Sequence, residues 1–192
     1  MARIGFKIAK YNKIAGDKYA TLTDSKVPVF EKVVDEKFAP EFNTAELYAN
    51  DGLAESDYSF KKGTLSLTVA DDDDELCAEL LGNTNEEGEV TSKISDAIPE
   101  FGYGHIIPKI VGGERMFKVE FFPRVKFTSI TGDNKTRGET LEFGTTAIEG
   151  TVFPLDTAFN GLAEGTWEKH KTFKTFAEAE TYLDSLLTPV TA

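Results

Sequence analysis

The chain has a single cysteine, Cys77, so it can form no internal disulfide and has no thiolate cluster for zinc or an iron–sulfur centre. It also lacks any apolar run of roughly eighteen residues, the length that a membrane-spanning helix needs. Its N-terminal stretch carries a charge every few positions, without the continuous apolar segment of a secretory signal. These absences predict a protein made and kept in the cytoplasm, with no membrane segment.

Basic residues are few: 21 Lys and Arg stand against 33 Asp and Glu, which gives a formal net charge of −12 and an isoelectric point near 4.7. Non-specific binding to nucleic acid needs clustered Lys and Arg to neutralise phosphates. The charge therefore predicts repulsion from DNA. An acidic surface also keeps a protein soluble without any further role, and composition alone favours this simpler interpretation.

Familiar catalytic patterns are missing as well. There is no G-x-S-x-G nucleophile elbow and no phosphate-binding loop, and Gly102 and Gly104 lack the third glycine of a dinucleotide fingerprint. The two histidines, His105 and His170, have no neighbouring Cys or His at metal-ligand spacing. We therefore expect no catalytic residue, no cofactor and no metal site. A hydrolase with an unrecognised carboxylate pair stays open as an alternative, because 33 acidic residues make chance pairs unavoidable.

What the chain does have is phenylalanine, 15 residues of it, within 40% hydrophobic residues over 192 positions. This length suits one domain with a sizeable core, here residues 1–192. The clearest pattern runs from Gly102 to Thr128, where alternate residues between Phe117 and Phe127 are apolar, which is the period of a half-buried strand. A two-residue turn at Gly112–Gly113 makes this segment a β-hairpin.

The turn fixes the register of the predicted hairpin, because Val111 then faces Glu114. His105 lies opposite Glu120 in this register, so a hydrogen-bonded structural role is favoured for the histidine. Pro123 cannot donate to the strand ladder and is predicted to mark a bulge or an unpaired edge position. The other facing pairs are Pro108 with Phe117, Ile106 with Val119, Gly104 with Phe121 and Tyr103 with Phe122.

The first seventy residues predict further strands. Residues 4–11 and 19–22 form an N-terminal hairpin, and residues 29–38 form a strand with an exposed face. Residues 63–69 alternate and form a well-ordered strand. Residues 44–60 are polar and contain the turn signal N-D-G, which predicts two short strands around a mobile, acidic loop.

Two helices are predicted. A short helix covers about 71–82, because aspartates suit the cap and first turn of a helix and Gly82 suits the left-handed residue after its last turn. A calcium loop starting at Asp71 would need glycine where the chain has Leu76. A C-terminal helix covers about 175–187, since a T-x-x-E capping box precedes an apolar stripe that packs on the sheet.

The remaining segments are connections and one strand region. Residues 83–100 are polar without a stable period and form an extended connection. A second polar loop follows the central hairpin. The stretch 141–154 then predicts one more pair of strands.

The order of three tracts is distinctive. They are ELYANDGLAESDYSFKKGTLSLTVADDDDELCAELLGN, GYGHIIPKIVGGERMFKVEFFPRVKFT and TRGETLEFGTTAIEGTVF. Together they resemble the major tail tube protein of long, non-contractile-tailed bacteriophages, and more narrowly the major tail protein family of phages and prophages of Gram-positive bacteria. The resemblance extends from about Ile4 to Phe153, and none of the tracts is a catalytic motif.

The resemblance implies a mainly β protein with a β-sandwich or β-barrel tail-tube core, flanked by the short helix at about 71–82. It implies that six copies close into a ring and that rings stack into a hollow tube in the virion tail. The tube would surround a tape-measure protein, meet tail initiator and terminator proteins, and conduct DNA during ejection without binding it. Synthesis would take place in the cytoplasm of the host bacterium.

The resemblance also implies that long loops and terminal arms bridge successive rings. We expect extended loops at about 44–60 and 83–100. The first of them gives the candidate inter-ring contact, which comprises Tyr48, Asn50, Asp51, Gly52, Glu55 and Tyr58.

Two other classes of protein remain possible from the residues alone. A β-sandwich recognition module for carbohydrate would show an exposed aromatic platform on a concave face. A hydrolase would show a buried pair of carboxylates with a raised pKa.

Overall fold

The computed structural model describes residues 2–3, 5–22, 26–49, 52–70, 73–132 and 144–190, with the side chains of all of these except 2–3, 47–49 and 52–55. The fold is mainly β with two short helices, which confirms the predicted class. The strands are β1 (Ala2–Arg3), β2 (Ile8–Ala15), β3 (Lys18–Tyr19), β4 (Val29–Phe30), β5 (Val33–Ala49), β6 (Gly52–Val69), β7 (Thr84–Glu86), β8 (Glu89–Thr91), β9 (Phe101–Val111), β10 (Glu114–Gly132), β11 (Thr146–Val152) and β12 (Lys169–Phe173), and the helices are α1 (Asp74–Leu81) and α2 (Phe176–Leu187).

One antiparallel sheet contains ten of these strands. Its main order is β3-β2-β9-β10-β11-β6-β5, while β1 pairs with β9, β4 with β2 and β12 with β10. β7 and β8 form a separate two-stranded sheet. Within the described residues the sheet does not close into a barrel, because the path ends at β3 on one side and at β5 on the other.

The central hairpin has the predicted register. Gly112 and Gly113 form the turn with φ of 61° and 89°, values that glycine adopts readily. Val111 faces Glu114, and His105 faces Glu120. The pairing continues without interruption to Tyr103 and Phe122 and then shifts before the next pair, so the predicted bulge at Pro123 is confirmed.

The bulge changes which face of β10 is apolar, and here the prediction of one continuous apolar face from Phe117 to Phe127 is wrong. The extra residue at the bulge resets the alternation, so Phe122, Val125 and Phe127 share one side of the sheet while Phe117, Val119 and Phe121 lie on the other. One strand therefore contributes to two separate cores.

The first core lies on the concave side of the sheet, because β5 bends back over β9 and β10. The rings of Phe38 on β5 and Phe122 on β10 are 4.5 Å apart between centroids, although two strands separate β5 from β10 in the sheet. The main buried members of this core are Ala9, Tyr11, Phe30, Leu65, Leu67, Val69, Leu80, Phe101, Tyr103, Phe122, Val125, Phe127, Ile148 and Val152.

The second core lies under α2 on the opposite side of the sheet. Thr175 and Glu178 form the predicted capping box, and the apolar stripe of α2 packs on the sheet as expected. Lys10 of β2 reaches the helix and binds Glu180 and Asp184 at 2.9 and 2.7 Å. The main buried members of this core are Tyr19, Val27, Ile106, Val119, Phe121, Leu155, Phe159, Leu162, Ala179, Leu183 and Leu187.

The predicted short helix is present as α1. Asp73 caps it by accepting hydrogen bonds from the amides of Glu75 and Leu76, and Gly82 follows its last turn with φ of 73°. Leu80 points from the helix into the first core. The helix therefore closes one side of the concave face.

Several predicted segments differ from the structure. Residues 44–49 and 52–60 are not a loop between short strands but belong to one long hairpin, since β5 and β6 pair from Val33–Val69 to Ala49–Gly52 with three register shifts. The connection 83–100 includes the small β7–β8 hairpin. The predicted strand at 29–38 is divided at Glu31–Lys32 between β4 and β5.

The C-terminal half also contains corrections. The stretch 141–154 supplies one strand, β11, inserted between β10 and β6, rather than a pair of strands. Part of that stretch, 141–143, lies outside the described residues. β12 was not predicted, because its sequence KHKTF is short and charged.

Position 102 requires glycine because the ring of Tyr19 packs directly against its backbone. A Cβ atom there would lie 2.5 Å from the Tyr19 ring, which is buried and held by a 2.9 Å hydrogen bond from its hydroxyl to the Pro123 carbonyl. Gly102→Ala should lower the free energy of unfolding by about 1–3 kcal/mol because the ring cannot move aside.

Urea denaturation measures this change, and Gly132→Ala is the matched control, since a Cβ atom at that strand glycine meets none of the described residues within 4 Å. Equal effects of the two substitutions would show that the Tyr19 contact is not what requires glycine.

Candidate assembly surface and adjoining cleft

The most prominent feature of the surface is a hairpin that extends beyond the sheet. β5 has 17 residues and β6 has 18, but β11 pairs with β6 only over Gly63–Val69. Among the described residues, 41–49 and 52–62 therefore pair only with each other, and we call them the projecting hairpin. The polar sequence of this segment fits the lack of a sheet neighbour on either side within that part of the chain.

Both faces of the projecting hairpin meet solvent. Residues 41–46 and 56–59 are all exposed, including Phe42 at 48% and Tyr58 at 62%. An isolated two-stranded ribbon is only marginally stable in water. A ribbon of this length with exposed rings on it is typical of a segment that becomes covered by another molecule.

Aromatic packing holds the base of the projecting hairpin. Trp167 stacks on Phe60 with 4.1 Å between ring centroids and an interplanar angle of 8°. Phe42 packs edge-on against both rings, and Phe38 lies 6.1 Å from Trp167. These contacts tie the base to the segment that precedes β12, so the direction of the hairpin is fixed where it leaves the sheet.

β5 is also the long edge of the sheet. In the part of the chain that the structure describes, β5 pairs with β6 and with no other strand. The other side of the sheet is covered by the short strands β3 and β4, of two residues each. Long open edges add strands from neighbours unless something blunts them, and Pro40 is the only proline on β5 that does so.

A cleft of about 440 Å³ lies where β5 bends over the central hairpin. Its walls come from the base of β5, from β9 and β10, and from the segment around Trp167. The lining residues are Gly5, Phe6, Val34, Asp35, Glu36, Phe38, Pro40, His105, Ile107, Lys118, Glu120, Trp167 and Glu168.

Buried charged groups form the inner wall of this cleft. His105 is 1% exposed, with Nε2 3.1 Å from Glu120 Oε2 and Nδ1 3.0 Å from Glu36 Oε2. Lys118 Nζ binds the other oxygen of Glu120, and the Tyr103 hydroxyl donates to Glu36 at 3.1 Å. His105 Nδ1 lacks a well-aligned hydrogen bond despite its short distance to Glu36. The cluster joins β5 to strands that are not its neighbours in the sheet.

The surroundings of the cluster shift two pKa values. Burial alone would raise the pKa of Glu120, but the hydrogen bonds from His105 and Lys118 outweigh burial and lower that pKa to about 2. Burial, with the Glu36 carboxylate beside it, raises the pKa of the Tyr103 hydroxyl well above its ordinary value. A hydrolase was expected to show a raised carboxylate pKa, and the shift of Glu120 is in the opposite direction.

Four of the six predicted inter-ring residues lie in the distal part of the projecting hairpin, as the structure describes it. Backbone pairing places Tyr48 opposite Leu53, Gly52 opposite Ala49 and Glu55 opposite Leu47. Tyr58 lies opposite Thr44 and is exposed. Asn50 and Asp51 lie outside the described residues. The segment was predicted from its turn signal as two short strands around a loop, and the length of the strands was underestimated because its polar residues do not alternate.

Only part of the cleft could be predicted from the sequence. The hairpin register predicted the contact between His105 and Glu120, whereas Glu36 and Trp167 reach the site through the bending of the sheet. No group of three or more His, Cys, Asp or Glu side chains among the described residues is arranged to hold a metal ion. No helix in the described ranges has the length and apolar character that crossing a membrane requires.

Comparison with known proteins gives little further information. No family model matches the sequence, and no curated protein matches it. One solved structure with some similarity is the cryo-EM structure of the anti-feeding prophage cap, which terminates the tube. The alignment covers 85% of this chain and 88% of that chain, with a TM-score of 0.40 and 11% sequence identity. A TM-score of 0.40 is too low to establish a shared fold, so the proposals below rest on the residues of this chain.

The charge cluster predicts a specific acid sensitivity. Folding lowers the pKa of Glu120 from 4.5 to about 2, so its stabilisation is complete above about pH 4.5 and is lost as the pH falls through about 2. Glu120→Gln should therefore reduce the free energy of unfolding by about 2–3 kcal/mol at pH 7 and by much less at pH 2.5.

Denaturant titrations between pH 7 and pH 2.5 measure the difference, with Glu114→Gln, an exposed glutamate on the same strand, as the control. Parallel pH profiles of the Glu120→Gln variant and the unsubstituted protein would contradict the assignment.

Proposed function

We propose that this chain is the structural subunit of a phage tail tube, in which six copies form a ring and stacked rings form a hollow tube. The observation that carries the proposal is the projecting hairpin, a long ribbon that has no further strand beside it among the described residues and whose residues 41–46 and 56–59 are all exposed. The resemblance of the three sequence tracts to major tail tube proteins supports the same conclusion. The protein acts by assembly and not by catalysis.

The projecting hairpin is suited to contact between rings. A β-ribbon spans about 3.3 Å per residue, so the segment that leaves the sheet is long enough to reach a neighbouring subunit. Its distal residues, including Tyr48, Glu55 and Tyr58, are the proposed contacts, and covering the exposed ring of Tyr58 favours association. The terminal arms contribute to the same bridging.

The open edge of β5 is suited to contact within a ring. An unpaired strand edge offers a row of backbone donors and acceptors to the next subunit. In this proposal the β5 edge of one copy meets the opposite side of the sheet, at β3, in the next copy, and such a contact between different edges is head-to-tail and can close into a ring. Six copies per ring follow from the family resemblance.

The net charge of −12 suits a conduit for DNA. Carboxylates facing the lumen repel phosphates, so DNA moves through without the affinity that Lys and Arg contacts add. In this proposal the tape-measure protein fills the lumen during assembly, and the tail initiator and terminator proteins meet the two ends of the tube. The assembled protein belongs to the virion tail after synthesis in the host cytoplasm.

A carbohydrate-recognition module is the second candidate, and one observation favours it. The cleft combines aromatic rings, including Trp167 and Phe38, with the carboxylates of Asp35 and Glu168. Sugar recognition uses such a mixture of ring faces and hydrogen-bonding groups. This module would work as a monomer, so self-assembly distinguishes the two functions.

Shortening the projecting hairpin tests the main proposal. Replacing residues 44–58 by Asn-Gly joins the facing residues Asn43 and Ser59 through a two-residue turn and keeps the aromatic base. The variant should fold with nearly unchanged thermal stability and form no tubes, because the bridging segment is gone. Negative-stain electron microscopy and light scattering over a concentration series are the measurements.

The matched control shortens the other exposed hairpin: residues 85–90 are replaced by Asn-Gly, which joins the facing residues Thr84 and Thr91. Tubes formed equally by both variants would contradict the role of the projecting hairpin. An unsubstituted protein that stays monomeric at every concentration would count against the tube and favour the recognition module.

A further inference from the structure

We propose that Ile94, on the connection between β8 and β9, inserts into a pocket beside α1 of a second copy of the chain. The inference rests on the proposed self-assembly and goes beyond it by naming two surfaces that meet. Neither the projecting hairpin nor the cleft beneath β5 is part of this contact.

Ile94 is unusually exposed for a large apolar side chain. It is 109% exposed, whereas the other exposed large apolar side chains of the described residues are between 39% and 62% exposed. A single apolar residue on a surface needs no explanation by itself. Complete exposure, however, leaves the whole apolar area of this isoleucine available for burial by another molecule.

The turn that carries Ile94 is held in one shape. The Lys93 amide donates to Asp96 Oδ2 at 2.7 Å, and the Asp96 amide donates to the Lys93 carbonyl at 3.0 Å. These two hydrogen bonds close residues 93–96 into a turn with Ile94 at a central position. Because the turn is already ordered, docking it costs less conformational entropy than docking a flexible loop.

The pocket beside α1, which we call the α1 pocket, has apolar walls. Its volume is about 210 Å³, below the roughly 300–1,000 Å³ of typical small-molecule sites, so its size suits a side chain. Tyr11, Val29, Val69 and Leu76 supply the apolar walls, and Val29 is 39% exposed. Packing Ile94 against these side chains removes apolar surface of both copies from water.

The acidic side chains that line the α1 pocket fall into two groups. Asp73 caps α1 by accepting from backbone amides, and Glu79 accepts from the Tyr11 hydroxyl at 3.0 Å, so both already have partners. Glu31 and Glu75 are exposed and form no ion pair within the described part of the chain. Of the acids among the described lining residues, these two remain available to a cation.

Lys93 supplies a cation directly beside Ile94. Its side chain is exposed and forms no ion pair with the side chains that the structure describes. A lysine next to an apolar side chain matches apolar walls with Glu31 and Glu75 beside them. Complementary charges of this kind contribute mainly to specificity and to the rate of association, so burial of Ile94 supplies most of the affinity.

Ile94 does not occupy the α1 pocket of its own chain. A side chain that fills a pocket is buried, whereas Ile94 is fully exposed and is not among the residues that line the α1 pocket. The two complementary surfaces therefore meet when two copies associate.

The contact can be arranged in two ways. In a two-fold dimer each copy inserts its Ile94 into the other, whereas one-way contacts join copies into a closed ring or an open filament. The contact is one-way in the proposed tube, because a two-fold exchange uses up both surfaces within a dimer.

Disulfide trapping between two variants tests the contact. In a Cys77→Ser background, one chain carries Ser95→Cys next to the retained Ile94, and the other carries Glu31→Cys, which keeps Glu75 and the apolar walls of the α1 pocket. Ser95 and Glu31 are both exposed. After mixing and mild oxidation, non-reducing electrophoresis should show a covalent dimer of the two chains, which a size tag on one of them identifies.

The matched variants change one isoleucine at a time in the Ser95→Cys chain. Ile94→Ala should give roughly tenfold less dimer, because most of the apolar area that the contact buries is gone. Ile110→Ala should leave the yield unchanged, although Ile110 is also an exposed isoleucine that follows a lysine. Equal yields from these two variants, or no dimer in any mixture, would overturn the contact between copies and point to a different occupant of the α1 pocket.

A chain that carries both cysteines separates this inference from the tube function. One-way contacts should join it into a ladder of covalent oligomers, whereas covalent dimers alone would keep the contact and count against the tube. Tubes of the unsubstituted chain in electron microscopy, without a dimer that depends on Ile94, would leave the tube function standing and remove this contact.

Discussion

The bulge at Pro123 is the constraint on which the rest of the structure depends. β10 changes its neighbour at this bulge. The same edge of β10 pairs with β12 before the bulge and with β11 after it. The Tyr19 hydroxyl binds the Pro123 carbonyl, and Glu100 holds Arg124 through two hydrogen bonds of 2.8 and 3.1 Å. Without the extra residue, Val125 and Phe127 would stay on the side of α2, and the concave core would lose the rings around which the sheet bends.

The bending of the sheet then creates two features, a buried charged cluster and a fixed base for the projecting hairpin on which the proposed assembly relies. Bringing β5 over β9 and β10 places Glu36 against His105, so a charged cluster is buried where most folds place only apolar groups. Buried charges cost free energy unless they are well paired, and their value is more often in fixing one arrangement than in adding stability. Here they fix the base of β5, from which the projecting hairpin leaves the sheet.

How much the sequence predicted depended on the range of the interactions. The register of the central hairpin, an aspartate cap for α1 and the capping box of α2 depend on residues close in the chain, and all three were predicted correctly. The face switch at Pro123 and the contact of Glu36 with His105 depend on how distant strands meet. The periodicity of the sequence carries no information about how distant strands meet. The cleft was therefore not predicted, although Glu36 and Glu120 are both present in the sequence.

The open edge and the exposed hairpin raise the question of what keeps free subunits apart. Pro40 interrupts only one position of a 17-residue edge, so steric blunting is slight. The net charge of −12 opposes the approach of two copies at long range, while every short-range contact proposed here is attractive. In the proposed tube, association would then be slow until a surface already presents a complementary edge. A growing tube end would hold such an edge in place, whereas a second free subunit would not, and this difference would favour growth over spontaneous nucleation.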